Sequence, residues 1–264
     1  MPKAKLDDIS LYYEVHGKGA PLLLIAGLGS DSASWMGIVR KLSARFRVVT
    51  FDNRGAGRTS VPDEKYSVRQ MVEDTVKLLD RLEIGRAHII GHSMGGYIAQ
   101  ELAVRYPERV DKLIFEATAP VSSERNNALF NGFLDLMERS GDIETLVRQW
   151  TPWLFSPRAF ERKTFITTFL KNVVKYPYAQ SVSGFRRQIG AVASFDSRSR
   201  IKAIKTRTLV ITGGDDILIT PRESRVLSEN IRGSVLAEIK DTGHCIHIEN
   251  PAAFTATVLS FLRS

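Results

Sequence analysis

At 264 residues the chain is long enough for one large α/β domain, or for a core domain carrying an insertion. Apolar content of 43% and charged content of 25% are those of a soluble globular protein, and no run of eighteen apolar residues or secretory leader is present, so the reading is a cytoplasmic protein with no membrane partner. The net charge of +8 comes from scattered Lys and Arg without a nucleic-acid module, and the single Cys245 excludes an internal disulfide and lacks a C-x-x-C partner, so neither a nucleic-acid partner nor a metal is expected.

The chain opens with an apparent hairpin, residues 3–7 and 10–16. Pro21 to Ala26 follows as a continuously apolar run, the kind of strand buried on both faces of a parallel sheet, and ends in Gly27-Leu28-Gly29-Ser30. A helix is predicted from about Ser34 to Ala44 and a strand over Phe46–Phe51. Helix 67–83, strand 87–91, helix 94–105 and strand 112–117 continue an alternation that argues for a mostly parallel sheet with helices on both faces.

Within that alternation, Ile89-Ile90-Gly91-His92-Ser93-Met94-Gly95-Gly96 contains G-x-S-x-G between a strand and a helix, the pattern of a nucleophile elbow. A side chain two residues before or after the serine would block a sharp turn that pushes Ser93 Oγ above the sheet. The Met94 N–H, at the mouth of the helix, faces any negative charge developing beside the serine. The pattern alone is weak, since it arises by chance in roughly one chain in ten of this length. Its support must come from elsewhere.

The alternation stops near Pro120. From Val121 to about Arg200 helical periodicity runs without a convincing strand, interrupted at Pro152, Pro157 and Pro177. This block holds twelve of the twenty-three aromatic residues, and it reads as a helical cap. Most of its aromatics must form its own core; Trp150, Trp153 and Phe155, with Trp35 from the first helix, are the candidate substrate contacts. Between Val121 and Lys205 fourteen Lys and Arg face seven Asp and Glu, which is either a solvated basic face or a preference for an anionic substrate.

Strand 208–212, helix 221–231, strand 235–239 and helix 251–263 then resume the sheet. Here the serine finds partners. A serine hydroxyl becomes a nucleophile when an imidazole accepts its proton, and the imidazole needs a carboxylate to fix its tautomer. Ser93, Asp216 and His244 each sit just past a predicted strand end, where an open α/β sheet gathers its ligands.

Gly27-Leu28-Gly29, Asp52-Asn53-Arg54-Gly55-Ala56-Gly57, the Ser93 motif, Gly213-Gly214-Asp215-Asp216 and Gly243-His244 together resemble the signatures of an α/β-hydrolase across essentially the whole chain. Within that superfamily the resemblance is to the enol-lactonase, cofactor-free haloperoxidase and small-esterase branch. It implies an α/β-hydrolase fold: an eight-stranded, mostly parallel sheet over residues 1–120 and 201–264, with the cap at 121–200. It also implies Ser93 as nucleophile, His244 as base, Asp216 rather than Asp215 as acid, and the Leu28 and Met94 N–H groups as oxyanion hole. Many relatives carry His-Gly where this chain has Ala26-Gly27, so altered supporting contacts around that hole are expected. The implied activity is hydrolysis of a small carboxylic ester or lactone, anionic ones included, without cofactor, by a monomer or homodimer. Peroxide chemistry, carbon–carbon hydrolysis and a ligand receptor with weak turnover are the alternatives.

Overall fold

Alternate residues of each apolar run part to opposite faces of one sheet. In β3 (Ala20–Ile25) Leu23 and Ile25 enter one core while Leu22 and Leu24 enter the other. In β6 (Val110–Glu116) Leu113 and Phe115 oppose Ile114 in the same way. The computed structural model describes residues 2–263, and these strands belong to an eight-stranded sheet. The others are β1 (Lys3–Lys5), β2 (Ser10–His16), β4 (Phe46–Phe51), β5 (Ala87–His92), β7 (Arg207–Gly213) and β8 (Val235–Ile239). Their order is β1-β2-β4-β3-β5-β6-β7-β8, antiparallel in the first two pairings and parallel in all later ones.

Burial on both faces follows from the helices. One core joins the sheet to α2 (Val68–Arg81) and α3 (Met94–Arg105) through Met71, Leu78, Ile98 and Leu102. The other joins it to α1 (Met36–Leu42) and α11 (Pro251–Arg263) through Ile38, Leu42, Phe254 and Val258. The helix expected from Ser34 begins instead as a 3-10 turn over Ser32–Trp35, because Asp31 caps the Ala33 N–H at 2.9 Å.

Between β6 and β7 lie five helices: α4 (Glu124–Ser140), α5 (Ile143–Leu154), α6 (Pro157–Glu161), α7 (Lys163–Val174) and α8 (Val182–Ala193). Pro152 does not interrupt this run as expected. It lies inside α5, whose end follows two residues later. Pro157 opens α6 at a position where its missing N–H costs nothing, with Ser156 Oγ accepting the Ala159 N–H. The two ends of the segment meet at a bridge between Val121 and Asp196, and Ser197 binds the Pro120 carbonyl through both its N–H and its hydroxyl. After β7 come α9 (Pro221–Asn230), opened by a Thr220–Glu223 capping box, and a short helix the sequence did not announce, α10 (Ile246–Glu249).

Candidate active site

Ser93 sits between the end of β5 and the start of α3 with φ 53 and ψ −116, a conformation that non-glycine residues adopt only under constraint. The constraint is visible on both sides. A Cβ on Gly91 would lie 2.4 Å from the Gly95 carbonyl oxygen, and one on Gly95 would lie 2.1 Å from that of Ile25. The Ser93 N–H donates to the Glu116 carbonyl at 2.9 Å, while the Ser93 carbonyl accepts from the Gly96 N–H and from Thr118 Oγ1. Ser93 itself is partly exposed in an otherwise buried stretch.

The loops after β7 and β8 bring two further groups together. Asp216 is buried, and its Oδ1 accepts the N–H groups of Leu218 and Ile219, both at 2.9 Å. Its Oδ2 lies 2.8 Å from His244 Nδ1. Two backbone donors and an imidazole thus fix this carboxylate, and a carboxylate on Nδ1 leaves Nε2 as the nitrogen able to take a proton. Asp215 points to solvent.

Gly27 and Leu28 follow the end of β3 beside the serine. A Cβ on Gly27 would stand 3.1 Å from Ser93 Cβ, and Leu28 is half-buried. At Ala26 support for this segment comes from Asn53, whose Nδ2 donates to the Ala26 carbonyl at 3.0 Å. Asp52 accepts the Ser32 N–H at 2.9 Å and the Arg58 N–H at 2.8 Å, so the Asp52–Gly57 loop holds the segment following Leu28. From α8, Gln188 reaches both loops, donating to the Arg54 carbonyl and accepting from the Gly29 N–H.

Of the candidate substrate contacts, two are corrected. Trp35 is fully buried, stacked on His247 with ring centroids 4.2 Å apart, and has no surface to offer a ligand. Phe155 is packed edge-on against Phe165 and Phe169 in a small core of the inserted helices. Trp150 and Trp153 are partly exposed; Trp150 leans on Phe133 at 4.3 Å.

Several residues at the site carried little sequence signal. Glu249 accepts the Gly243 and Ser156 N–H groups and the Ser156 hydroxyl, tying the histidine loop to the inserted helices. Glu116 ends an apolar strand; a carboxylate at that strand's carboxyl end was the available clue. His92, Glu116 and His247 could each offer a metal an atom, these atoms lying within 4.8 Å of one another. One nitrogen of each histidine is engaged otherwise: His247 Nδ1 lies 2.8 Å from Glu116 Oε1, and His92 Nε2 lies 3.2 Å from the His244 carbonyl. Burial, reinforced by His244 and His247, holds the His92 imidazole well below its ordinary value and keeps it neutral.

Residues 20–251 match the family model for the α/β-hydrolase fold, and the chain belongs to that family. It is a hydrolase. The protein named "Putative carbamate hydrolase RutD" from Rhizobium rhizogenes is 30% identical over 96% of this chain and 98% of its own length. The enol-lactonase from Burkholderia xenovorans superposes over the full length of both chains with a TM-score of 0.90 at 29% identity. A bromoperoxidase from Bacillus anthracis is similar with a TM-score of 0.87 at 27% identity, covering 97% of this chain and 96% of its own. Among the described residues no helix is long and apolar enough to cross a membrane.

Proposed function

We propose that the enzyme cleaves a small carboxylic ester or lactone through an acyl-enzyme on Ser93. The observation that carries this reading is the buried Asp216–His244 pair at 2.8 Å, set beside an elbow whose strained serine remains accessible. His244 takes the Ser93 proton as the oxygen attacks the carbonyl, Asp216 stabilises the imidazolium, and the Leu28 and Met94 N–H groups hold the oxyanion. The imidazolium then protonates the leaving oxygen, and a water activated by His244 releases the acid. Each step is proton transfer or acyl transfer, so these residues need no cofactor.

The helices between β6 and β7 act as a lid over this site, and Trp150 and Trp153, both partly exposed, are the aromatic groups assigned to meet an acyl chain. The segment's positive charge gives weak support to an anionic substrate, because many of its arginines are paired: Arg148 with Glu144, Arg158 with Asp241, Arg186 with Glu138, Arg198 with Asp196. The buried, unpaired Cys245 suits a cytoplasmic enzyme.

The test is turnover on p-nitrophenyl esters of increasing acyl length, with enol-lactones, carboxylate-bearing esters and a p-nitrophenyl carbamate beside them. Wild type is expected to show a burst of p-nitrophenolate that Ser93→Ala abolishes while remaining folded. A Ser93→Ala protein cleaving esters at the wild-type rate overturns the reading. Preference for the carbamate would move the substrate toward the chemistry in the RutD name, and turnover on no member would favour peroxide or carbon–carbon chemistry, or a receptor.

A further inference from the structure

Glu116 touches the backbone of the proposed nucleophile and the turn that follows the proposed base. Its carbonyl accepts the Ser93 N–H at 2.9 Å, which pins the elbow to the end of β6. Its side chain reaches the other way. Oε1 accepts the backbone N–H of His247 at 2.9 Å and lies 2.8 Å from His247 Nδ1, in the first turn after His244. One residue of the central sheet therefore grips the nucleophile's backbone and the loop that carries the base. Trp35 packs against the His247 ring with centroids 4.2 Å apart, and His92 lies 4.9 Å, ring to ring, from both His244 and His247.

This grip is expensive as a mere packing device. Glu116 and His247 are both buried, and neither Glu116 Oε2 nor His247 Nε2 has a hydrogen-bond partner among the described residues. Burying polar atoms in that state opposes folding, so an apolar pair of similar volume would make the better core. Hydrogen bonds do what apolar contacts cannot: they fix direction to within tenths of an ångström. The loop they fix is the one whose position sets how His244 meets Ser93.

Resting on the reading of Ser93 and His244 as nucleophile and base, we infer that Glu116 and His247 form a second acid–histidine pair that positions the first. Glu116 is a positioning residue, acting through His247 and the turn of α10. It differs from Asp216 in making no contact with His244 itself. Because its link to Ser93 runs through the backbone, a side-chain substitution cuts the histidine side alone and leaves the elbow's hydrogen bond in place.

The experiment measures kcat and KM on p-nitrophenyl butyrate for wild type, Glu116→Ala, Glu116→Gln, His247→Ala, His247→Asn and Ser93→Ala, with circular dichroism and melting of each. Glu116→Ala is expected to keep KM within about twofold and lose about 10- to 100-fold in kcat, the scale of a misplaced catalytic group. Glu116→Gln keeps an acceptor oxygen for His247 and should recover to within about fivefold of wild type. Full kcat in Glu116→Ala, a rise in KM at constant kcat, or a Glu116→Gln as impaired as the alanine variant overturns the inference. Should Glu116→Ala fail to fold, the His247 variants carry the test: alanine is expected to lower kcat at constant KM and asparagine, whose amide reaches the Nδ1 position, to restore it, and unchanged kcat in His247→Ala overturns the idea. Wild-type turnover by Ser93→Ala would instead sink the nucleophile assignment, whatever the Glu116 variants do.

Discussion

A serine at φ 53 and ψ −116 carries backbone strain on the order of 1–3 kcal/mol, and Ser93 holds it because its N–H and carbonyl are both taken by β6 and the residues after it. The same economy of contacts separates two adjacent acids. Asp216 spends one oxygen on two backbone N–H groups and the other on His244, whereas Asp215 faces water. Asp216→Asn keeps the shape but presents an amide to Nδ1, which favours the wrong imidazole tautomer. Its kcat is expected to fall by about a thousandfold or more, on the order of 4 kcal/mol of transition-state stabilisation. Asp215→Asn should stay within about twofold. Steady-state kinetics on one p-nitrophenyl ester compares them, and the opposite ranking would move the acid back one residue.

Among the elements, α8 shows most directly how the inserted helices are docked. Gly184 lies so close to the Asp52–Gly57 loop that a Cβ would come within 2.1 Å of the Gly55 carbonyl oxygen. Gln180 and Gln188 flank this contact, donating to the Gly55 and Arg54 carbonyls at 2.8 and 3.0 Å. Six residues on, Gly190 faces open space. Gly184→Ala must therefore push α8 off the loop, with a stability loss of about 1–3 kcal/mol and a raised KM. Gly190→Ala, on the same helix, should gain about 0.5–1 kcal/mol from reduced unfolded-chain freedom and leave KM alone. Urea melts and KM for the two variants make the comparison, and equal effects would mean that α8 is not seated on that loop. Little of this docking could be read from sequence. The strands were legible because runs such as Pro21–Ala26 are apolar on both faces, and the loop residues Ser93, Asp216 and His244 because short motifs fix their neighbours. Glu116 and His247 are 131 residues apart, and the pairing that joins them leaves no local pattern. Trp35 misled for a related reason: a tryptophan near a strand end looks the same in sequence whether it faces a ligand or lies beneath a histidine.

At the scale of the whole molecule, the groups buried beneath the site bound the pH range in which the fold is stable. His92 is kept neutral in the folded protein, while in the unfolded chain it takes up a proton as pH falls through its ordinary 6.5. Below that value the unfolded state binds more protons, so His92 lowers stability as pH falls, by at most about 1.4 kcal/mol per pH unit. Cys245 acts at the other end. Burial first, and then Glu116, Asp216 and Glu249 around it, push its thiol well above the ordinary 9.0, so the unfolded chain loses that proton while the folded protein keeps it. Above 9.0 the folded state binds more protons and stability declines as pH rises, at a similar limiting slope. The contribution of these two groups is therefore full only between the two values. Urea unfolding at about pH 5.5, 7.5 and 9.5 should show His92→Asn losing less stability than wild type on the acid side, and Cys245→Ala losing less on the alkaline side. Since each substitution removes one titration and leaves the other, each variant should flatten one limb alone. Parallel curves for wild type and His92→Asn between about pH 7.5 and 5.5 would mean that the imidazole beneath the elbow takes up its proton in the folded protein as readily as in the unfolded one, against the burial that holds it neutral.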